Sequence, residues 1–259
     1  LSGGRSLMDR DFVLNLRLES AERASALVDR DLDGHVAYAS FNPVFPAGED
    51  TGPRSVKVVV DCSGSMGGDS IAQARVALAR ILGSLRPQDC FNIVLFGSHH
   101  RALFPLQVPA DAEHLGMARG LLEGLDADMG GTELDAALTA AYALRSPPGL
   151  PQDVLLVTDG EVWEVDALVE AARRAGHRVF TVGVGSAVSE PTVRGLAEAT
   201  GGACELVSPN EDMAERIHRH FKRLLLPRAT QARVRWPQPP AECLLETLEA
   251  VYDGDTVHV

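Results

Sequence analysis

The stretch "KVVVDCSGSMGGDS", Lys57 to Ser70, decides the fold: an apolar run ends in an aspartate and two serines, then in glycines. Asp61, Ser63 and Ser65 stand there at alternate positions. Asp, Ser and Gly are the ordinary residues of chain reversals, so a turn is the plain alternative to a site. The surrounding sequence has to separate the two. "VKVVV" (56–60) reads as a central strand of a sheet buried on both faces. The next segment carries Ile71, Ala74, Leu78 and Leu82 at helical spacing, and Gly83 with Pro87 marks its end.

Further out, strand-like runs alternate with helix-period segments. "CFNIVLF" (90–96) and "ALFPLQV" (102–108) read as strands, the second an edge because Pro105 interrupts it. Helices are predicted at about 111–124 and 133–145. "DVLLVT" (153–158) and "RVFTVGVG" (178–185) are two more buried strands, separated by a helix with Val165, Leu168, Val169 and Ala172 on one face. Another helix is predicted from near Pro191 to Gly201–Gly202, then a short strand over 203–207 and a last helix bearing Met213, Ile217, Phe221 and Leu224. The pattern is that of an α/β, doubly wound, mostly parallel six-stranded sheet with helices on both faces.

The two ends read differently. "DFVLNLRLE" (11–19) alternates Phe12, Leu14, Leu16 and Leu18 against more polar neighbours, as a half-buried antiparallel strand does. Residues 26–41 read as a hairpin turning at Asp33–Gly34. Residues 231–236 and 247–259 read as strands, with another turn at Asp253–Gly254. Together they predict a small β appendage built from both chain ends, with divisions at 1–52, 53–227 and 228–259.

Composition narrows the partners. Hydrophobic residues make up 45% and charged residues 23% of the 259, the balance of a soluble globular chain. No apolar run approaches the roughly 20 residues that cross a bilayer. A net charge of -12 and only two lysines, Lys57 and Lys222, argue against a nucleic-acid partner. An acidic surface suits divalent cations or basic partners. Cys62, Cys90, Cys204 and Cys243 have no metal-ligand spacing, and with Cys90 and Cys204 in strand-like segments buried free thiols are the plain reading. The chain starts at Leu1 with no signal-like segment, as a processed or excised piece would, and the compartment stays open.

Ligands of an open parallel sheet bind beyond the carboxyl ends of its strands. Asp61, Ser63 and Ser65 follow the first strand directly, and two other loops leaving that edge carry Thr132 in "MGGTELD" and Asp159 in "LLVTDGE". Two carboxylates and three hydroxyls, without His or Cys, suit a hard cation such as Mg²⁺. Each residue has a plainer role available. Thr132 with Asp135 could cap a helix, Asp159–Gly160 could be a turn, and Asp61 with its serines could cap the next helix.

Those residues carry a resemblance. "DCSGSM", "GGT" and "VTDG", in this order on this strand and helix pattern, resemble the von Willebrand factor type A domain and its metal-ion-dependent adhesion site over residues 54–226. The flanks, "DRDFVLNLRL" before and "VRWP" with "YDGDTVHV" after, are similar to segments bordering that domain in inter-alpha-trypsin inhibitor heavy chains and their bacterial relatives, where a VIT domain precedes it. The resemblance implies a Mg²⁺-dependent protein-binding module of a larger protein, with Mn²⁺ or Ca²⁺ as alternative ions. Ser63 and Ser65 would coordinate directly, and Thr132 and Asp159 would exchange direct and water-mediated roles. Asp61 would hold waters and orient the serines. A partner's Asp or Glu would fill the remaining position. The family leans toward an extracellular or cell-envelope setting.

Other functions stay open. Within the binding class, the chain could be an intracellular assembly subunit of a motor or chelatase complex. An aspartyl phosphatase would want Asp at position 63, and a G-x-S-x-G elbow on Ser65 would want Gly there, although Asp159 and His177 leave a hydrolase triad conceivable. "DRDLDG" (29–34) opens like an EF-hand loop, but Ser40 stands where the bidentate Glu belongs. His99–His100 lacks a third ligand, and Glu133 and Glu161 border the oxygen set.

Overall fold

The computed structural model describes residues 24–31, 34–45, 52–159, 165–185, 188–208, 211–233, 235–236, 239–243 and 247–259. The strand expected over 11–19 lies outside them. The chain divides into two compact units, Val44–Asp253 and, separately, residues up to Pro43 together with Gly254–Val259.

In the smaller unit, β1 (Ala24–Asp31) pairs antiparallel with β2 (Gly34–Phe41). Asp31 is opposite Gly34, and of the turn expected at Asp33–Gly34 the first residue lies outside the described residues. Asp29 and Asp31 of the EF-hand-like stretch belong to β1, an extended strand, and Asp33 lies outside the described residues.

The larger unit is built on one sheet. Its central strand β3 (Ser55–Asp61) lies between β4 (Cys90–Phe96) and β7 (Gln152–Thr158), parallel to both. Beyond β7 come β8 (Arg178–Val184) and β9 (Cys204–Val207), also parallel. On the other side, β5 (His100–Ala102) and β6 (Val108–Pro109) pair antiparallel with the two ends of β4. Strand order therefore reverses at β3.

Every residue of β3 is buried, because helices cover both faces. Val56, Val58 and Val60 pack with α1 (Asp69–Ser84), α2 (Ala112–Glu123) and α6 (Met213–Leu225). Val59 faces the opposite core with α3 (Leu134–Ala143), α4 (Val165–Ala175) and α5 (Glu190–Ala199). Each such valine contributes about 1.5 kcal/mol or more by leaving water, so these alternating faces hold the strand in register.

One expectation fails in a way that has a physical cause. The strand read over 102–108 is not continuous: only its ends pair with β4, through β5 and β6. Pro105 removes a donor, and buried Asn92 takes over the work of the missing ladder. Its Nδ2 donates to the carbonyls of Phe104 and Leu106 at 2.9 and 3.0 Å, and its Oδ1 accepts from Phe104 N at 3.2 Å.

The run "VKVVV" also contains a surprise, since Lys57 is fully buried. Its ammonium donates to Gln152 Oε1 at 3.2 Å and meets His177 Nε2 at 2.5 Å. His177 Nδ1 donates to the Ala175 carbonyl, which leaves Nε2 as the acceptor. Burial pushes Lys57 down to about 8, and burial together with Lys57 pushes His177 down. This cluster closes the amino edge of the sheet.

The C-terminal strands part company. β10 (Arg228–Arg233) and β11 (Thr247–Tyr252) form their own antiparallel ribbon, while β12 (Val257–His258) joins β2. Among the described residues the two ends thus contribute antiparallel β strands, β12 from the C-terminal end pairing with β2 from the N-terminal one. Tyr252 explains the ribbon's position: its ring packs edge-on to Phe180 with centroids 5.7 Å apart, and its hydroxyl donates to the Gly201 carbonyl at 2.9 Å.

His220, on α6, is also buried, and Nε2 donates to the Ala203 carbonyl at 3.0 Å. Burial pushes it down to about 3. A base whose folded pKa is depressed is protonated first in the unfolded chain, so stability is lost as pH falls below about 6.5 and continues to fall toward 3. Between pH 6.5 and 5 this single group is expected to remove about 2 kcal/mol. His220→Gln keeps a donor but does not titrate. Urea unfolding at pH 7 and pH 5 should show a shallower loss in the variant, and equal losses in both proteins would refute the assignment.

Candidate metal centre

Three loops leave the carboxyl edge of the sheet where β3 separates β4 from β7, the reversal point at which such sheets place ligands. The loop after β3 is held by Asp61, whose side chain is wholly buried. Oδ1 accepts the Ser63 N–H at 2.9 Å and Oδ2 accepts the Thr158 hydroxyl at 2.6 Å. The carboxylate therefore ties the ends of β3 and β7 together and shapes the serine turn. Ser63 Oγ and Ser65 Oγ lie 3.0 Å apart, the first buried and the second exposed.

The loop ahead of α3 is stitched to this turn through its backbone. Met129 N donates to the Cys62 carbonyl at 3.0 Å, and Gly64 N donates to the Gly130 carbonyl at 2.9 Å. The loop after β4 adds Ser98 N to the Met129 carbonyl, Glu133 N to the Gly97 carbonyl and Gly131 N to Ser98 Oγ, at 2.7, 2.8 and 2.7 Å. Such close approach requires glycine. A Cβ on Gly97 would stand 2.4 Å from the Met129 Cβ and carbonyl oxygen. Gly130 has φ +82°, and a Cβ there would meet Ser98 Oγ at 2.7 Å.

Half-buried Thr132 follows in the same loop. The plainer readings of these residues find no support in the helix ends: neither α1, which starts after Gly68, nor α3, which starts after Glu133, has a side-chain cap hydrogen bond. Asp159 directly follows Thr158 at the end of β7. Its Oδ1 is buried and has no hydrogen-bond partner among the described residues. A carboxylate oxygen so placed is costly unless something satisfies it.

The structure thus brings Asp61, Ser63 and Ser65 together by direct hydrogen bonds. It joins the Thr132 loop to them through Gly130, and Asp159 through its neighbour Thr158. Burial pushes the Asp61 carboxyl up, against hydrogen bonds from Ser63 and Thr158, and Asp159 adds to the upward push. A divalent cation reverses that balance, because it is the largest local charge in any site it occupies. The donor set fits a hard cation: hydroxyls and carboxylates, with no imidazole. Burial raises the Cys62 thiol to about 12, so no thiolate competes.

Two supporting residues were not singled out from the sequence. Thr158 and Ser98 contribute hydroxyls that position Asp61 and Gly131, yet a threonine ending a strand and a serine in a loop are too common to signal this. Glu133 is exposed beside the site, and Glu161 lies outside the described residues. The conceivable hydrolase triad is not assembled. His177 precedes β8 at the amino edge, bonded to Lys57, whereas Ser65 and Asp159 follow the carboxyl ends of β3 and β7. His99 and His100 are exposed, and no group of three or more His, Cys, Asp or Glu among the described residues is placed to hold a metal.

A family model for the von Willebrand factor type A domain matches residues 54–206, and the chain belongs to that family. It is 32% identical to a von Willebrand factor A domain-containing protein of Dictyostelium discoideum, over 76% of this chain and 22% of that protein. It is also 32% identical to human inter-alpha-trypsin inhibitor heavy chain H4, over 83% of this chain and 25% of that one. The chain therefore spans about a tenth to a third of the length of the curated relatives it matches. Among solved structures, a von Willebrand factor type A protein from Catenulispora acidiphila shares the fold with a TM-score of 0.61 at 17% identity, covering 91% of this chain and 60% of that one. Proximal thread matrix protein 1 from the mussel byssus, with a zinc-occupied metal-ion-dependent adhesion site, does so at 0.53 and 15% identity, covering 66% and 46%. Domains of this family commonly mediate protein interactions and bind a divalent metal at that site. Among the described residues, no helix is long and apolar enough to cross a membrane.

Proposed function

We propose that this chain is a Mg²⁺-dependent protein-binding module of a larger protein of the inter-alpha-trypsin inhibitor heavy chain type. Ser63, Ser65, Thr132 and Asp159 would hold the ion, and Asp61 would orient the serine hydroxyls. The observation that carries this reading is the buried Asp159 oxygen, without a hydrogen-bond partner among the described residues, beside a carboxylate already committed to Ser63 and Thr158. The ion supplies a Lewis-acidic position for one more anionic oxygen, since two carboxylates alone leave a Mg²⁺ site unsaturated. An Asp or Glu of a protein partner is the group that fits. On this reading the module binds a partner and does not turn over a substrate.

Partner binding should then need the ion while folding does not. The unit Val44–Asp253 has two apolar cores flanking its sheet, enough burial to fold without metal. Thr132→Ala should keep the fold and weaken partner capture more than ion binding. Pull-downs from the native source with and without EDTA, repeated with Thr132→Ala, check this. Capture indifferent to both treatments would place recognition elsewhere. The rival assembly-subunit reading is served by the same experiment, because a constitutive subunit should remain in its complex under chelation.

A further inference from the structure

Beside the metal edge, between the start of β5 and the loop after α2, lies an open-sided cleft of about 260 Å³. Cys62, Leu95, Leu125 and Met129 lie buried at its base, and the surface it presents is more polar than apolar. Exposed charged residues stand around it, Asp126 and Asp128 with Arg101, alongside His99. We propose that this cleft is a second subsite for the same partner, one that takes a basic side chain, Arg or Lys, close in sequence to the carboxylate at the ion. The proposal rests on the metal-dependent reading above.

Size sets the kind of occupant. Clefts for drug-sized ligands start at about 300 Å³, so this one suits a single long side chain. Chemistry sets its sign. Asp128 makes no hydrogen bond or ion pair among the described residues, and the Asp126 carboxylate accepts only the Ala127 N–H. Arg101 forms no ion pair with either, so the rim carries two carboxylates against one guanidinium. One added cation balances that rim, whereas an anion drawn by Arg101 would meet both aspartates. Arginine and lysine are also long enough to pass their stems over the small apolar part of the lining while the charged end stays wet at the open side. A metal is the poorer occupant, because His99 and the aspartates do not converge as a ligand cluster.

Position sets the spacing. Cys62 lines the cleft and lies between Asp61 and Ser63, and Asp128 stands four residues before Thr132 in the same loop. Four residues reach at most about 14 Å, and an extended partner covers about 7 to 14 Å in two to four residues. The partner motif is therefore an acidic residue and a basic residue separated by one to three others.

Methyl NMR tests this with short synthetic peptides in Mg²⁺: Glu and Arg separated by two alanines in either order, and the same peptides with Ala or Glu in place of Arg. Thr132 reports the metal edge, and Leu95, Leu125 and Met129 report the cleft. The Arg peptide should shift both sets at millimolar concentration and bind about three- to tenfold tighter than the Ala peptide. Asp126→Asn/Asp128→Asn should erase that preference while leaving the Thr132 response to the Ala peptide unchanged. Shifts at Thr132 without any at the cleft, or an Arg preference that survives the double substitution, would overturn the subsite and leave the metal reading standing. Cleft shifts that persist in EDTA would keep a basic-side-chain site but overturn its coupling to the ion, and with it the proposal as stated.

Discussion

Asp61→Asn is expected to lower Mg²⁺ affinity about 10–100-fold without lowering the stability of the metal-free protein, because residues that orient ligands carry that much of a site's affinity. The two effects separate for a reason visible in the structure. Burial already pushes the Asp61 carboxyl up, so a neutral amide of the same shape relieves a desolvation cost in the absence of the ion. The amide oxygen can still accept the Ser63 N–H, and the Thr158 hydroxyl can turn to accept from the amide nitrogen. What the variant lacks is negative charge beside the serine pair. Calorimetry with Mg²⁺ and thermal unfolding with and without EDTA read both quantities. Wild type should gain roughly 2.7 kcal/mol at an ion concentration of a hundred times its Kd, and the variant only about 0.4–1.4 kcal/mol at the same concentration. Unchanged affinity in the variant would remove Asp61 from the site.

Gly97→Ala should damage the same site from a position that offers no ligand. The new methyl group would lie 2.4 Å from Met129, and the 129–133 loop that carries Thr132 has to move to admit it. Overpacking of this kind costs about 1–3 kcal/mol. Displacement of Thr132 should add a loss of ion or partner affinity that stability alone does not explain. Gly202→Ala is the control. Its Cβ would clash with the Val179 backbone at 2.0 Å, far along the sheet from the serine turn. It should lose stability and keep the ion affinity of its folded fraction. If Gly97→Ala folds and binds the ion as wild type does, the stitched loops do not govern the site.

How much of this was legible in the sequence depended on how each residue announces itself. The alternation of β-branched strands and helix-period segments placed the parallel sheet and both helical layers, because a strand buried on both faces leaves a continuous apolar run. Asp61, Ser63, Ser65 and Asp159 could be singled out because they stand in series at strand ends, whereas Thr132, in the loop between α2 and α3, was legible only through its place in the ordered set of motifs. Their supports could not. Thr158 looks like any strand threonine until its hydroxyl is found on Asp61, and Ser98 like any loop serine until it meets Gly131. Asn92 and Lys57 sat unnoticed inside apolar runs, although one organises the broken strand after β5 and the other closes the amino edge of the sheet. These are contacts between residues 12 to 120 positions apart, and local pattern holds no record of them.

The central claim is that the carboxyl edge of β3 holds a divalent ion through Ser63, Ser65 and either Thr132 or Asp159. Anomalous diffraction from crystals grown with Mn²⁺ tests it most directly. The expected result is one strong peak at about 2.1 Å from the Ser63 and Ser65 hydroxyl oxygens, with Asp61 behind them and Thr132 or Asp159 completing the protein ligands. An empty serine turn at saturating Mn²⁺, or a peak held instead by Asp126 and Asp128, would contradict the account.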